Sequence, residues 1–384
     1  MQAPSLGILM IARDEERNLA KSLLPLMNVV DEAVFLDTGS TDQGPEMAEK
    51  AGARVYRLPW PGDFSAARNA ALARMTADYV LWLDGDNSVG PQELLTFKKK
   101  IDPKPTIYLA TERIVPQGDE IWQKRIFPNR PEFRWEGKIH EQLTHPADCP
   151  VAHSRLVFEH WGYADSKLAK AKAERNLSLL LESGEPTDPY AAYQTGRTLV
   201  NLRRHQEARP FLERAAEMAE NPAFFAHSLI LLSRAYLAAG EPAKALASLR
   251  RLTQARPDYG PGHYYLGRFL ADHEPKAAAA ALESALALGL ADPAWGANGP
   301  KLAFAAALLL GKLHLKALNL KAAKKALAKA ASLDPNSPEP RLGLAKVAFA
   351  AGRAREAQAI LTKVLARFPG LRSAKALLAE RGQP

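Results

Sequence analysis

Two folds in tandem are predicted by the sequence: an α/β domain built on a parallel sheet, followed by an all-α solenoid. Three observations lead there. Apolar runs alternate with amphipathic stretches over the first hundred residues. Turn-rich, β-like runs fill residues 105–160. From residue 189 to 369, small residues recur at matching positions of helical stretches.

The first stretch reads as strand and helix in turn. GILMIA (7–12) is a strand candidate, and EERNLAKSLLPLM (15–27) has helical spacing. EAVFLDT (32–38) is the next strand, with a helix in QGPEMAEKAG after it. ARVYRL (53–58) is a third strand, FSAARNAALARM (64–75) a helix, and DYVLWLDGD (78–86) a fourth strand. Such alternation argues for a parallel sheet with helices on both faces. Ligands of such sheets sit at the C-terminal ends of the strands. Polar residues gather there: Arg13-Asp14-Glu15, Asp37-Thr38-Gly39-Ser40 and Asp84-Gly85-Asp86.

TIYLATERIV, EIWQKRIF, FRWEGKIHEQL and RLVFEH follow, separated by Pro, Gly and Asp/Asn turns. They read as added strands closing over the first sheet. The helical pattern begins at Ser166. Beyond it, Gly196, Ser233, Gly267, Gly311 and Ala345 mark one helix of each unit, and Ala208, Ala245, Ala278, Ala323 and Ala357 its partner. Small residues at both positions let the two helices approach closely. The pattern is weakest at 271–303, where GLADPAWGANGP forms a longer connection. The expected division is 1–160 for the α/β domain, 161–188 for a helical linker and 189–384 for about five repeats.

Composition excludes several classes. Over 384 residues, 47% are hydrophobic and 24% charged, which rules out a wholly disordered chain. No apolar run approaches the ~18 residues of a membrane span. The start, MQAPSLGILMIARDEE, lacks a basic lead and reads as a buried strand rather than a signal peptide. Cys149 is the one cysteine, so neither an internal disulfide nor a cysteine zinc site can form. A reducing cytoplasm is the expected location, either free or at the inner face of the membrane. Residues 1–160 hold 19 basic and 23 acidic side chains, and residues 161–384 hold 32 and 19. A basic second half concentrates anions, but no zinc-finger or RNA-binding signature is present and no nucleic-acid partner is expected.

LWLDGDN (81–87) carries the sharpest chemistry. On a strand, Asp84 and Asp86 would point the same way. Two such carboxylates make a hard-oxygen site for Mg²⁺ or Mn²⁺. Asp-Gly-Asp alone is also common in solvated turns. The neighbours sharpen the reading: DTGSTD (37–42) sets an acid at a strand end, and DFSAARNAAL (63–72) opens a helix with Asp63 and presents Arg68.

Taken in order, ARDEE (12–16), VDEAVFLDTGSTD, W-x-x-DFSAARN, LWLDGD and RIFPNRPEFRWEGKIHEQL (125–143) resemble family-2 glycosyltransferases of the GT-A fold. Asp14 stands where that family usually has Asn. The resemblance covers about residues 5–160. The later period, with Ala323 and Ala357 34 residues apart, resembles the tetratricopeptide repeat. Fusion to such repeats also occurs in this family, including bacterial peptide S-glycosyltransferases.

The resemblance implies a nucleotide diphosphate sugar as donor, most often a uridine diphosphate sugar. Ala12, Arg13 and Glu15 would line the nucleoside pocket, and Asp37 would accept a hydrogen bond from the base imide. Arg68 would contact base or ribose, Asp84 the ribose or metal, and Asp86 the metal, Mn²⁺ or Mg²⁺. His140 would complete the metal shell or touch the diphosphate. Glu141 would be the general base, with Glu112, Asp119 and Glu120 as rivals. Arg125 would meet phosphate or else be a surface arginine, and Trp60 and Trp135 would stack on sugar or base or else belong to the core. No other cluster of cations is visible for the diphosphate. An inverting transfer to a protein or peptide acceptor follows, with the repeats holding that acceptor or a protein partner. A lipopolysaccharide core or other envelope glycan as acceptor, and an inert head on a repeat scaffold, are the alternatives.

Overall fold

The structure is a computed structural model that describes residues 3–115, 118–162, 166–182, 188–217, 222–292 and 298–381. Its elements begin with β1 (Leu6–Ala12), α1 (Glu16–Leu19), a 3-10 turn (Leu24–Leu26), β2 (Glu32–Asp37), α2 (Gly44–Lys50), β3 (Arg54–Arg57), α3 (Phe64–Leu72) and β4 (Tyr79–Trp82). Then come β5 (Asn87–Ser88), α4 (Pro91–Lys98), β6 (Ile107–Ile114), β7 (Asp119–Pro128), β8 (Arg134–Glu136), β9 (Gln142–Thr144) and β10 (Val151–His160). The expected helix over 15–27 is broken into α1 and the 3-10 turn. Pro25 lacks the N–H that an unbroken helix would need there.

One sheet holds the strand order β3-β2-β1-β4-β7-β6-β10-β5. β3, β2, β1 and β4 are parallel, β7 enters antiparallel, and β10 runs parallel to β6. The strands of residues 105–160 therefore extend the first sheet instead of closing over it. Among the described residues, β8 and β9 form a separate two-stranded ribbon. β1 is central and almost wholly buried, as expected of a strand covered on both faces. Its side chains alternate: Leu6, Ile8 and Met10 pack with Leu19, Leu26, Ala48 and Leu94, while Leu9 packs with Ala67, Ala71 and Phe127. Register places Ala12 beside Asp37, so the ends of β1 and β2 are level.

The helical part comprises α5 (Ser166–Leu181), α6 (Pro189–Asn201), α7 (His205–Glu217), α8 (Pro222–Ala238), α9 (Pro242–Ala255), α10 (Gly260–Leu270) and α11 (Pro275–Leu288). α12 (Gly299–Lys316), α13 (Leu320–Leu333), α14 (Glu339–Ala350), α15 (Ala354–Arg367) and α16 (Arg372–Arg381) complete it. Part of the long connection, residues 293–297, lies outside the described residues. The small residues read from the sequence are buried where helices pair. A methyl on Gly267 would stand 2.8 Å from Leu282 Cγ, and one on Gly311 2.6 Å from Leu327 Cγ. Ala245, Ala278, Ala323 and Ala357 are fully buried.

Two compact units divide between Phe211 and Leu212. The first therefore includes α5 and α6, which the sequence reading assigned to a linker and a first repeat. On α6, the Tyr190 hydroxyl accepts a 2.7 Å hydrogen bond from Gln142 Nε2 on β9.

Candidate active site

Loops at the C-terminal ends of β1, β2 and β4 build the site. After β1, Asp14 takes a left-handed backbone, φ 57°, which Asp tolerates better than most residues. Its Oδ1 accepts from the Thr41 N–H at 2.7 Å and hydroxyl at 3.0 Å, and these bonds hold its carboxyl below the usual range. Its own N–H donates to Ser40 Oγ at 3.0 Å. The loops after β1 and β2 are thus tied together. Arg13 is exposed beside them. Asp37 is buried and accepts from the N–H groups of Gly39 (3.1 Å) and Ser40 (2.8 Å) through Oδ1. Gly39, at φ 107°, makes that turn possible.

Glu15 reaches across to the Asp84–Asp86 turn. A methyl on Gly85 would lie 2.7 Å from its carboxyl carbon. Burial pushes the Glu15 carboxyl upward, against a 2.6 Å hydrogen bond from Asn18 Nδ2. β4 ends at Trp82, so Asp84 and Asp86 stand in a turn and not on a strand. Strand alternation does not orient them. Each is held by its own set of cations.

Asp84 is bonded by two guanidiniums. Arg68 Nη2 lies 3.0 Å from Oδ1 and Arg125 Nη1 3.2 Å from Oδ2, with Trp82 Nε1 2.9 Å from Oδ1. Burial would raise this carboxyl, but the two guanidiniums outweigh it and hold it low. α3, capped by Asp63 through the Ala66 N–H, aims Arg68 inward. Arg68 Nε also meets Glu141 Oε1 at 2.5 Å. Its guanidinium carbon sits 4.4 Å from the centre of the Trp82 ring and 5.2 Å from that of Trp135. Nη1 of Arg68 is buried with no partner among the described residues.

Asp86 faces different groups: Lys172 Nζ at 3.0 Å from Oδ2 and His160 Nδ1 at 3.4 Å from Oδ1. Burial opposes ionisation there too, yet His160 and Lys172 hold the carboxyl well below the usual range. Burial lowers the His160 imidazole, and the Asp86 hydrogen bond and charge more than reverse it.

Several expected roles meet other surroundings. His140 and Glu141 do not lie on a strand; His140 has φ 55°, and β9 starts only at Gln142. His140 is not among the groups bonded to Asp86; His160 stands there instead. Burial, with the charge of Arg197, lowers the His140 imidazole to about 4, and its Nε2 is buried without a partner among the described residues. Arg125 is 1% exposed, bonded to Glu112 and stacked 4.2 Å from the Trp82 ring centre, so it cannot be a surface phosphate contact. Trp135 is core, edge-on to Trp82 at 4.8 Å, and Trp60 packs edge-on against Phe64. Of the rival bases, Glu112 is taken by Arg125, Glu120 by Arg113 at 2.9 Å, and Asp119 opens β7 opposite Ile114.

The reading missed His160 and Lys172. His160 ends the RLVFEH strand, where a ligand position could have been suspected. Nothing local marks Lys172 among the lysines of its helix. Among the described residues, no three His, Cys, Asp or Glu side chains form a ready metal shell. A carboxylate and an imidazole at Asp86 and His160 do fit a divalent cation that takes its other ligands from substrate phosphates and water.

Residues 7–161 match the family model described as Glycosyl transferase family 2. Residues 189–222 and 314–380 match Tetratricopeptide repeat models. A TPR repeat-containing protein of Synechococcus elongatus is 31% identical over 209 residues, 50% of this chain and 52% of that protein. The SPbeta prophage-derived glycosyltransferase SunS of Bacillus subtilis is 24% identical over 228 residues, 55% of this chain and 53% of the other. The chain thus spans about half the length of the curated relatives it matches. The crystal structure of YrrB, a TPR protein, covers 49% of this chain and 91% of its own at 18% identity and a TM-score of 0.41.

Proposed function

We propose that this chain, whose residues 7–161 form a family 2 glycosyltransferase domain ahead of tetratricopeptide repeats, transfers a sugar from a nucleotide diphosphate sugar to a protein or peptide acceptor. The observation that carries the reading is one guanidinium, Arg68, holding Asp84 and Glu141 together at the strand ends. It joins the expected donor side of the site to the expected base. Uridine diphosphate is the favoured carrier.

In this reading Ala12, Arg13 and Glu15 border the nucleoside, and Asp37 offers Oδ2 to the base, its Oδ1 being used in the turn. The unpartnered Nη1 of Arg68 is a donor available to base or ribose. Asp84 is a neutralised acceptor for a ribose hydroxyl. Asp86 and His160 would hold Mn²⁺ or Mg²⁺, which when bound supplies Lewis-acid charge to the leaving diphosphate. Glu141 would serve as the general base beside Arg68. Arg68 occupies its Oε1, and Oε2 would take the acceptor's proton as the acceptor attacks the anomeric carbon. The nucleotide diphosphate leaves from the opposite side, and configuration inverts. Such a site needs no covalent nucleophile, and Cys149 takes no part. The repeats suit an extended acceptor, and the basic second half favours an acidic one. Among the described residues no helix is long and apolar enough to cross a membrane. A cytoplasmic place, free or at the inner membrane face, remains the working expectation.

The test is a screen of nucleotide sugars for hydrolysis with Mg²⁺ or Mn²⁺, then mass spectrometry of proteins and envelope glycans from a deletion strain. Metal-stimulated hydrolysis of one donor and loss of one sugar from a protein support the proposal. Loss from a glycan alone would move the acceptor to the envelope. No hydrolysis and no binding of any donor would leave a repeat scaffold with an inert head.

A further inference from the structure

We propose that Lys172 is a phosphate-binding residue of the donor site, moving from Asp86 to the diphosphate when a divalent cation and the donor arrive. The inference rests on the nucleotide-sugar reading above and adds a residue outside residues 7–161, the span of the family match.

Four cationic or imidazole side chains bond the two aspartates among the described residues. Arg68 and Arg125 are buried, with side chains 5% and 1% exposed, and each is shared between two carboxylates: Arg68 by Asp84 and Glu141, Arg125 by Asp84 and Glu112. Neither can leave without stranding buried carboxylates. His160 is 13% exposed and fixed at the end of β10. Lys172 is 41% exposed and carries its ammonium on a flexible four-carbon stem. It alone can change partner.

The helix around it is placed for that change. Along α5, Lys172 meets Asp86, and Arg175, one turn on, lies 5.5 Å over the Phe64 ring. Just past the helix, Glu182 pairs with Lys138 at 3.9 Å. Ten helical residues rise about 15 Å, so α5 runs from the Asp86 turn toward the loop that carries His140 and Glu141. Lys172 and Arg175 share a face. Arg175 is exposed, and its hydrogen bond is to a neutral acceptor, Asn176 Oδ1, at 3.1 Å. A positive edge therefore borders the route along which a diphosphate would lie. A cation on Asp86 would repel the ammonium and take the oxygen it now bonds. Phosphate oxygens of a donor on that cation would be its next acceptors, at the strength of a charge-assisted hydrogen bond. No covalent step is involved.

Calorimetry on the full chain tests this, with UDP, inorganic pyrophosphate and uridine as probes in the presence of Mg²⁺, and with Mn²⁺ alone followed by electron paramagnetic resonance. Lys172→Met should weaken UDP and pyrophosphate about tenfold or more and leave uridine unchanged. Mn²⁺ alone should bind the same variant more tightly, because a competing charge is gone. Lys172→Arg should restore most of the diphosphate affinity. UDP and pyrophosphate bound by Lys172→Met as tightly as by the wild type would overturn the proposal. Wild-type protein that binds pyrophosphate but neither UDP nor uridine would refute the nucleotide-donor reading, while loss of pyrophosphate binding in Lys172→Met would still support the role of Lys172.

Discussion

Across the short antiparallel pairing of β5 with β10, His160 brings Nδ1 to 3.4 Å from Asp86 Oδ1. Asn87 and His160 are partners in register, and the Trp161 N–H donates to the Asp86 carbonyl at 3.1 Å. Backbone pairing therefore sets the distance between two side chains 74 positions apart. Gly162 completes the contact, since a methyl there would collide with the Asp86 carboxylate.

This relationship gives the first prediction. His160→Ala should weaken Mn²⁺ binding in the presence of UDP at least as much as the roughly 10–100-fold seen when a ligand loses its hydrogen-bonding support. His140→Ala should leave it unchanged. Titration of Mn²⁺ by electron paramagnetic resonance reads both. The reverse ranking would restore the metal role expected of His140.

The buried pair beneath the site gives the second. Arg125 joins Glu112 on the neighbouring strand and Asp84 above. Glu112→Ala leaves a buried guanidinium short of a partner, and the expected cost is about 3–5 kcal/mol. Urea denaturation followed by the fluorescence of the tryptophans near it should show that loss. A change below about 1 kcal/mol, the level of an exposed pair, would contradict the burial assigned to it.

Packing of the repeats gives the third. Leu327 fills the space beside both Gly311 and Gly343. Gly311→Val should force α12 from α13 and cost about 1–3 kcal/mol by overpacking. A lower thermal midpoint for the helical unit, with donor binding retained, is the expected result. An unchanged midpoint would show that the two helices do not meet there.

The fourth concerns acid. His140 titrates near 4 when folded, through burial and Arg197, against about 6.5 when unfolded. Between those values the unfolded chain binds the extra proton, so stability falls as pH drops from 6.5 toward 4. His140→Asn should flatten that limb of the stability profile measured by urea denaturation. His160, shifted upward, acts in the other direction: its contribution is full below the unfolded value and fades as pH rises through the folded one. An acid limb of the same slope in the variant would place His140 in water.

Local pattern made much of this protein legible. Apolar runs such as GILMIA and EAVFLD fit strands buried on both faces, and their alternation with amphipathic stretches made the order of the first elements legible. The repeats were legible because Gly311 and Ala323 mark sites where only a small side chain fits. The strand ends carrying Glu15, Asp37 and Asp84 were legible for the same reason, since polar groups closing apolar runs must lie at the rim. Tertiary structure alone decided which groups face which. The Asp84–Asp86 turn orients by its contacts and not by strand alternation, so Asp84 meets Arg68 and Arg125 while Asp86 meets His160 and Lys172. Those partners come from β7, β10, α3 and α5, and only the folding of the chain around one end of the sheet brings them within hydrogen-bonding distance. Charge pairing across such sequence separations leaves no local period to read.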